Sequence, residues 1–263
     1  FGVLVTTTSY LSNFTTVTNN PRGKTTVTRY RTLDTPSTDW PVYMQHPGGA
    51  YTEITRNTFG LPTSLKRRDY GDNVSATRTY AYNPAMELCR VVEPETGATL
   101  NGYDAAGNLK WSAAGLASNS MCDAEGDTAA ILARKVERSY DPRNRIKTLT
   151  FKDGRGNTTY DYTDDGLPES VVVNNFGTNA VYTNYTYNAR RLMTSETMEW
   201  DALSWPVTYG YNKFGHLLVQ GYPGGVNVNY APNALGQATQ AGSYATGVKY
   251  WPIGGIAEFL YGN

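Results

Sequence analysis

Few residues in this chain are of the types that carry out chemistry, and they are scattered. Two histidines, His46 and His216, stand 170 positions apart, too sparse for an imidazole metal site or a catalytic triad. His46 falls in a Pro-Gly-Gly turn and His216 directly follows a turn glycine, so both are expected to be exposed bystanders. Cys89 and Cys122 are the two cysteines. A secreted chain could bridge them, but a pair so separated is more often free. Asp123, Glu125 and Asp127 alternate as in a calcium loop, yet the spaced ligands and terminal Glu of such a loop are missing. The plainer reading is a helix N-terminus, where acids suit the macrodipole. Tyr beside Asp, as in Tyr103-Asp104 and Tyr140-Asp141, suggests an acid–base pair. Successive strand residues point to opposite faces, however. Each pair therefore reads as a core Tyr followed by a turn Asp. No Gly-x-Ser-x-Gly elbow, phosphate-cradling Gly-rich loop or His-Glu-x-x-His is present. The expectation is a protein with no catalytic residue, no cofactor and no metal.

Composition narrows the class. The 263 residues carry 23 basic and 23 acidic side chains, which argues against a nucleic-acid partner. No apolar run approaches the roughly 20 residues that span a bilayer, so no membrane span is expected. With 34 Thr, 21 Tyr, 26 Gly and 21 Asn, the chain is rich in strand formers and in residues that tolerate positive φ. That mixture predicts an all-β fold with many hairpins. Phe1 is not an initiator Met and no signal-like segment follows it, so both ends are expected to be cuts within a longer polypeptide. Four Asn-x-Ser/Thr sequons, at Asn13, Asn73, Asn157 and Asn184, are what chance gives in so Asn- and Thr-rich a chain.

The elements that would position these residues emerge from a repeat. An aromatic residue, then Asn or Asp, two variable positions, a turn residue and a nearby apolar residue recur along the chain. The clearest copies are Tyr103-Asp104 with Gly107, Tyr140-Asp141 with Asn144, and Tyr211-Asn212 with Gly215. Weaker ones are Tyr82-Asn83 with Met86, Tyr162 with Gly166, and Tyr187-Asn188 with Arg191. Asn57 with Gly60 and Asn233 with Gly236 lack the Tyr. Turn positions at 60, 86, 107, 144, 166, 191, 215 and 236 leave gaps of 26, 21, 37, 22, 25, 24 and 21 residues. One outlier among seven gaps still makes an array.

Gly at the turn position takes φ > 0 at little cost, and Asn or Asp after Tyr bonds its own backbone two residues on. A second reversal lies between consecutive motifs, at Asp69–Asn73, Asp153–Asn157, Asn175–Asn179, Asp201–Trp205 and Pro223–Gly225. One period is then two strands of about 7 residues. Thr183, Tyr185 and Tyr187 share a face, as do Val207, Tyr209 and Tyr211. Stacked hairpins are expected to set motif tyrosines side by side. Asn19–Gly23 and His46–Gly49 read as further turns of the same plan. The long gap holds an insertion at about 115–138, expected on one rim, with Ala124–Lys135 as a short helix. Gly107, Gly166 and Gly215 should be intolerant of Val, with Gly242 as the comparison position outside the motif.

The Tyr-Asp-x-x-Gly-Asn-Leu signature at a period of about 20 residues resembles the YD-repeat, or Rhs (rearrangement hotspot), family. The resemblance covers at least residues 51–263. It implies a β-sheet strip that spirals into a hollow shell, one region over residues 1–263. In bacterial polymorphic toxins such a shell encloses a C-terminal toxic domain, and related repeats occur in animal adhesion proteins. The Asp-Pro-x-Gly-Leu run of the self-cleaving shell end is absent, so self-cleavage is not assigned. The implied role is a non-catalytic structural segment of a secreted or surface bacterial toxin. Its partners would be the rest of its own parent chain, further repeats, the toxin cargo and a secretion system. An extracellular adhesion or carbohydrate-binding module is the alternative, with a glycan stacked on exposed aromatics. The dispersal of Trp40, Trp111, Trp200, Trp205 and Trp251 favours the shell.

Overall fold

The computed structural model describes residues 4–32, 37–175 and 180–262. The chain divides into two compact units, residues 1–136 and 137–263. The first unit is a run of ten strands: β1 (Thr7–Leu11), β2 (Thr15–Asn19), β3 (Thr25–Tyr30), β4 (Pro41–Gln45), β5 (Tyr51–Arg56), β6 (Pro62–Arg68), β7 (Ser75–Tyr82), β8 (Leu88–Glu93), β9 (Gly97–Tyr103) and β10 (Leu109–Leu116). Each pairs antiparallel with the next. A single helical turn, α1 (Ala129–Leu132), and β11 (Lys135–Tyr140) follow. The second unit runs β12 (Ile146–Phe151), β13 (Asn157–Tyr162), β14 (Pro168–Asn174), β15 (Ala180–Tyr187), β16 (Met193–Trp200), β17 (Leu203–Tyr211), β18 (Leu217–Tyr222) and β19 (Val226–Asn229), again paired in chain order. β20 (Ala245–Tyr250) and β21 (Ile256–Tyr261) form a separate hairpin. The fold is all-β, an array of stacked antiparallel hairpins.

Strand burial alternates, as in β15, where Thr183, Tyr185 and Tyr187 are half-buried while Tyr182, Asn184 and Thr186 are exposed. A sheet face covered by little else buries few side chains. In the second unit only Thr158, Gly221 and Val228 are buried among the described residues. Stability must then come from many half-buried cross-strand neighbours, each contributing roughly 0.2–1 kcal/mol. Among the described residues the one dense cluster lies in the first unit, where Ala98, Leu100, Trp111, Ala113, Leu116 and Ile131 are all buried.

Four expectations need correction. The helix spans Ala129–Leu132 and not 124–135. Gly126 at φ 63° and the Asp123 carboxylate, which accepts from the Glu125 and Gly126 amides, hold the preceding residues in bends instead. The Asp201–Trp205 reversal is tighter than expected. Asp201 and Ala202, at φ 48° and 61°, complete a two-residue turn and β17 resumes at Leu203. Cys89 and Cys122 are bridged, because the insertion folds back over β8 and brings their Cα atoms to 5.5 Å. Finally, no ring pair joins Tyr82, Tyr103, Tyr162, Tyr187 or Tyr211 to another of them. Two strand spacings, about 10 Å, separate successive motif tyrosines. Residues 176–179 of the expected Asn175–Asn179 reversal lie outside the described residues.

Candidate functional site: the stacked turns

The motif residues converge on one local structure, a type I turn closed by a left-handed residue. In the copy at Asp104, the Asp104 amide donates to the Asn108 carbonyl at 2.9 Å, and the Gly107 amide donates to the Asp104 carbonyl at 3.0 Å. The same two bonds occur at Asn83, Asp141, Thr163, Asn188, Asn212 and Asn233. They also occur at Asn20, His46, Asn57 and Trp251. The side chain at the first position adds two more bonds. Asp104 Oδ1 accepts from the Ala106 and Asn108 amides, both at 2.9 Å. Asp141, Asn188 and Asn212 repeat the pattern, and Asn83 keeps the second of the two bonds. In the Tyr162 repeat, Thr163 Oγ1 takes this place and accepts from the Leu167 amide. The left-handed residues include Gly107, Gly166, Gly215 and Gly236, at φ 80° to 92°. Met86, Asn144 and Arg191 hold the same conformation without the glycine, at φ 58° to 64°. There the turn's hydrogen bonds outweigh a strain of about 1–2 kcal/mol.

Five tyrosines at this position each tie their repeat to the one before it. Tyr82 Oη donates to the Pro62 carbonyl at 2.8 Å, and Tyr103 Oη to the Leu88 carbonyl at 3.0 Å. Tyr162 reaches Ile146 at 2.8 Å, Tyr211 reaches Met193 at 2.7 Å, and Tyr250 reaches Ala238 at 2.8 Å. In every case the acceptor is the second residue after the left-handed position of the preceding turn. Tyr187 closes β15 in the same register, opposite Met193. Tyr140 ends β11 directly before the Asp141 turn. The bond from Tyr250 belongs to a turn, Trp251 to Gly255, that has no Tyr-Asx signature and escaped sequence reading. Pro252 and the Gly254-Gly255 pair were the available signal.

Successive turns also nest. A Cβ built on Gly60 would stand 2.6 Å from the Trp40 ring. One on Gly107 would meet Glu87 Oε1 at 3.4 Å, and one on Gly166 the Arg145 guanidinium at 3.5 Å. One on Gly215 would meet Arg190 at 3.0 Å, and one on Gly236 the His216 ring at 2.9 Å. Glu87, Arg145 and His216 each occupy the fifth position of their own turn, next to the following repeat's glycine. Arg145 lies over the Tyr162 ring at 4.2 Å and pairs with Asp141 at 2.7 Å. Arg143 and Arg190 donate onward to the Asp164 and Lys213 carbonyls, at 2.8 and 2.9 Å. Most of this ladder is polar and directional, and its side chains contact the backbone and side chains of their own and the following turn.

The sheet geometry has counterparts among solved structures. The chain aligns with a crystal structure of TcdB2-TccC3-TEV at a TM-score of 0.51 and 13% identity, over 88% of its own length and 13% of that chain. With TcdB2-TccC3 without hypervariable C-terminal region the TM-score is 0.50 at 12% identity, over 87% of this chain and 13% of that one. The match is one of fold. No family model and no curated relative matches the sequence.

Neither histidine is an exposed bystander. His46 is half-buried and its Nε2 lies 2.9 Å from Thr52 Oγ1, while half-buried His216 packs on Gly236. Among the described residues, no three His, Cys, Asp or Glu side chains are grouped to hold a metal. Asp123, Glu125 and Asp127 do not converge into such a group.

The electrostatics of the array set its pH limits. Amide donation from Asn108 holds the Asp104 carboxyl below its ordinary range, and donation from Arg145 does so for Asp141. Burial pushes the phenols of Tyr82, Tyr103, Tyr162, Tyr187 and Tyr211 up. A depressed carboxyl contributes stability that is present above the unfolded value near 4 and lost as pH falls through the folded one. A raised phenol contributes stability that is present below about pH 10 and lost as pH rises further. The urea midpoint should therefore be flat from about pH 5 to 9 and fall on both sides. A midpoint constant up to pH 12 would mean that the phenols are as ionisable folded as unfolded.

Proposed function

We propose that this chain is a non-catalytic structural segment of a YD-repeat shell that encloses a C-terminal toxin domain of a secreted bacterial toxin. The observation that carries this reading is the ladder of turns. The Asp, Arg, Tyr and His side chains at the turns are engaged in closing each turn or in joining it to a neighbouring one. The shared fold with the much longer TcdB2-TccC3 chains supports it. So does the Tyr-Asx signature, whose family uses such sheets as containers. On this reading the partners are the remaining repeats, the cargo and the export machinery, and the chain is secreted or displayed at the bacterial surface.

The test uses the parent polypeptide. Its C-terminal domain should resist added protease when the repeats are intact. Deleting one period, residues 193–215, should render that domain sensitive. Equal sensitivity in both would reject enclosure. Saturable binding on a glycan array, lost on substituting Tyr182 and Trp200, would favour the adhesion reading instead.

A further inference from the structure

In the first unit, residues 117–128 lie over the sheet face that carries Leu100 and Trp111. Their hold on that face is thin. Among the described residues, no backbone hydrogen bond from residues 119–127 reaches β8, β9 or β10. Arg90 donates to the Ser118 carbonyl at 3.3 Å and touches the Met121 sulfur at 3.9 Å. The Gly126 backbone rests on the Trp111 indole, where a Cβ would stand 2.4 Å from the ring. Beyond the segment, buried Ile131 anchors α1 in the apolar cluster. The covalent tie between these contacts is the Cys89–Cys122 disulfide.

The two ends of that disulfide differ. Cys89 is 4% exposed, at the irregularity where Ala81 pairs with Arg90 and Tyr82 with Leu88, while Cys122 is exposed. Beside the bridge is an open groove of about 470 Å³, floored by Leu100, Leu116 and Ile131. Cys122 is therefore the end of the bridge that faces solvent, and what the segment covers is apolar.

We propose that residues 117–128 are a strap held shut by the Cys89–Cys122 disulfide and opened by a dithiol reductant. One thiolate of the reductant attacks the exposed Cys122 sulfur, and the S–S bond breaks with Cys89 leaving as thiolate. Cys89 takes up a proton, and its S–H then has the Ala81 carbonyl as acceptor, 3.4 Å from the sulfur. The second reductant thiol attacks the mixed disulfide and releases Cys122 as a thiol. Two electrons and two protons pass to the cysteines, and the reductant leaves as a disulfide. Among the described residues, the strap's remaining contacts with the sheet are then those to Arg90 and the Gly126 packing on Trp111. The strap lifts and uncovers Trp111 and the groove floor, while Ile131 keeps α1 in place. An oxidising compartment keeps the strap shut and a reducing one opens it.

Hydrogen exchange on the full 263-residue chain, with and without dithiothreitol, tests the strap. Reduction should speed exchange in residues 117–128 about tenfold or more, with β8 and β9 changing less than about twofold. Iodoacetamide should label Cys122 before Cys89. The double variant Cys89→Ser, Cys122→Ser should reproduce the reduced pattern without reductant. Unchanged exchange in 117–128 after reduction would overturn the proposal. An equal rise throughout β8, β9 and β10 would overturn it too, because the bridge would then be a staple of the whole unit.

Discussion

Replacing Trp111 with Ala should lower the free energy of unfolding by about 3–5 kcal/mol, the usual loss for a fully buried large aromatic. Among the described residues, Trp111 and Leu100 are the two largest side chains less than 2% exposed. The indole fills a slot between two glycines. A Cβ on Gly102 would stand 2.0 Å from its Nε1, and one on Gly126 2.4 Å from Cε2. No side chain is available at those two positions to refill the space. Lys135 Nζ lies 5.5 Å from the ring centroid, an interaction that also disappears. Trp251, 60% exposed, is the comparison. Its replacement by Ala should stay within about 0.5 kcal/mol. Urea unfolding followed by circular dichroism measures both, and a loss below about 1 kcal/mol for Trp111→Ala would show that the cluster contributes little.

The second large effect is expected at Gly215. Val there must adopt φ 88° and place its Cβ 3.0 Å from Arg190 and 3.4 Å from Leu192. Left-handed backbone costs a β-branched residue about 1–2 kcal/mol or more, before any crowding. Crowding adds to this, because Arg190 is held by its 2.9 Å bond to the Lys213 carbonyl. Gly254 separates the two causes. It has φ 89° in the same turn type, and a Cβ added there would have nothing within 4 Å. Gly254→Val therefore reports backbone strain alone, and Gly215→Val should exceed it. Gly242 is unsuitable as the comparison, since it too has positive φ, 55°, and lies against Val228 and Tyr244. Gly255, in ordinary backbone and open space, serves as the neutral control. Equal urea midpoints for Gly215→Val and Gly255→Val would sink the account of nested turns.

Much of the architecture was readable because the repeat is written in backbone-directing residues. Asn, Asp and Gly at fixed offsets specify a turn whatever the rest of the chain does, and Thr and Tyr between them specify strands. Turns without the aromatic, such as that at Trp251, depended on the same hydrogen bonds but carried a weaker signature. The role of tyrosine was misjudged for a geometric reason. A period of two strands holds neighbouring motif rings apart, and the phenol bonds a carbonyl of the adjacent strand instead. The Cys89–Cys122 bridge was illegible because it depends on how an insertion without periodicity folds back. The side chains that rest against the turn glycines were likewise unreadable. Trp40, Glu87, Arg145 and His216 share no chemistry, and only the packing shows that their neighbours are the glycines of following turns.

That diversity bears on how the chain finds its frame. The backbone bonds of one turn are the same as those of the next, so a strand displaced by a whole period could satisfy them equally well. Nothing in the main chain distinguishes first from third. The side chains resting on the glycines do, because four kinds of group are spread over the five of them: an indole on Gly60, a carboxylate near Gly107, guanidinium groups at Gly166 and Gly215, an imidazole on Gly236. A displaced copy would set an indole where a carboxylate belongs, and lose the fit at each step along the misaligned stretch. The irregular contacts thus serve as addresses on an otherwise uniform tape.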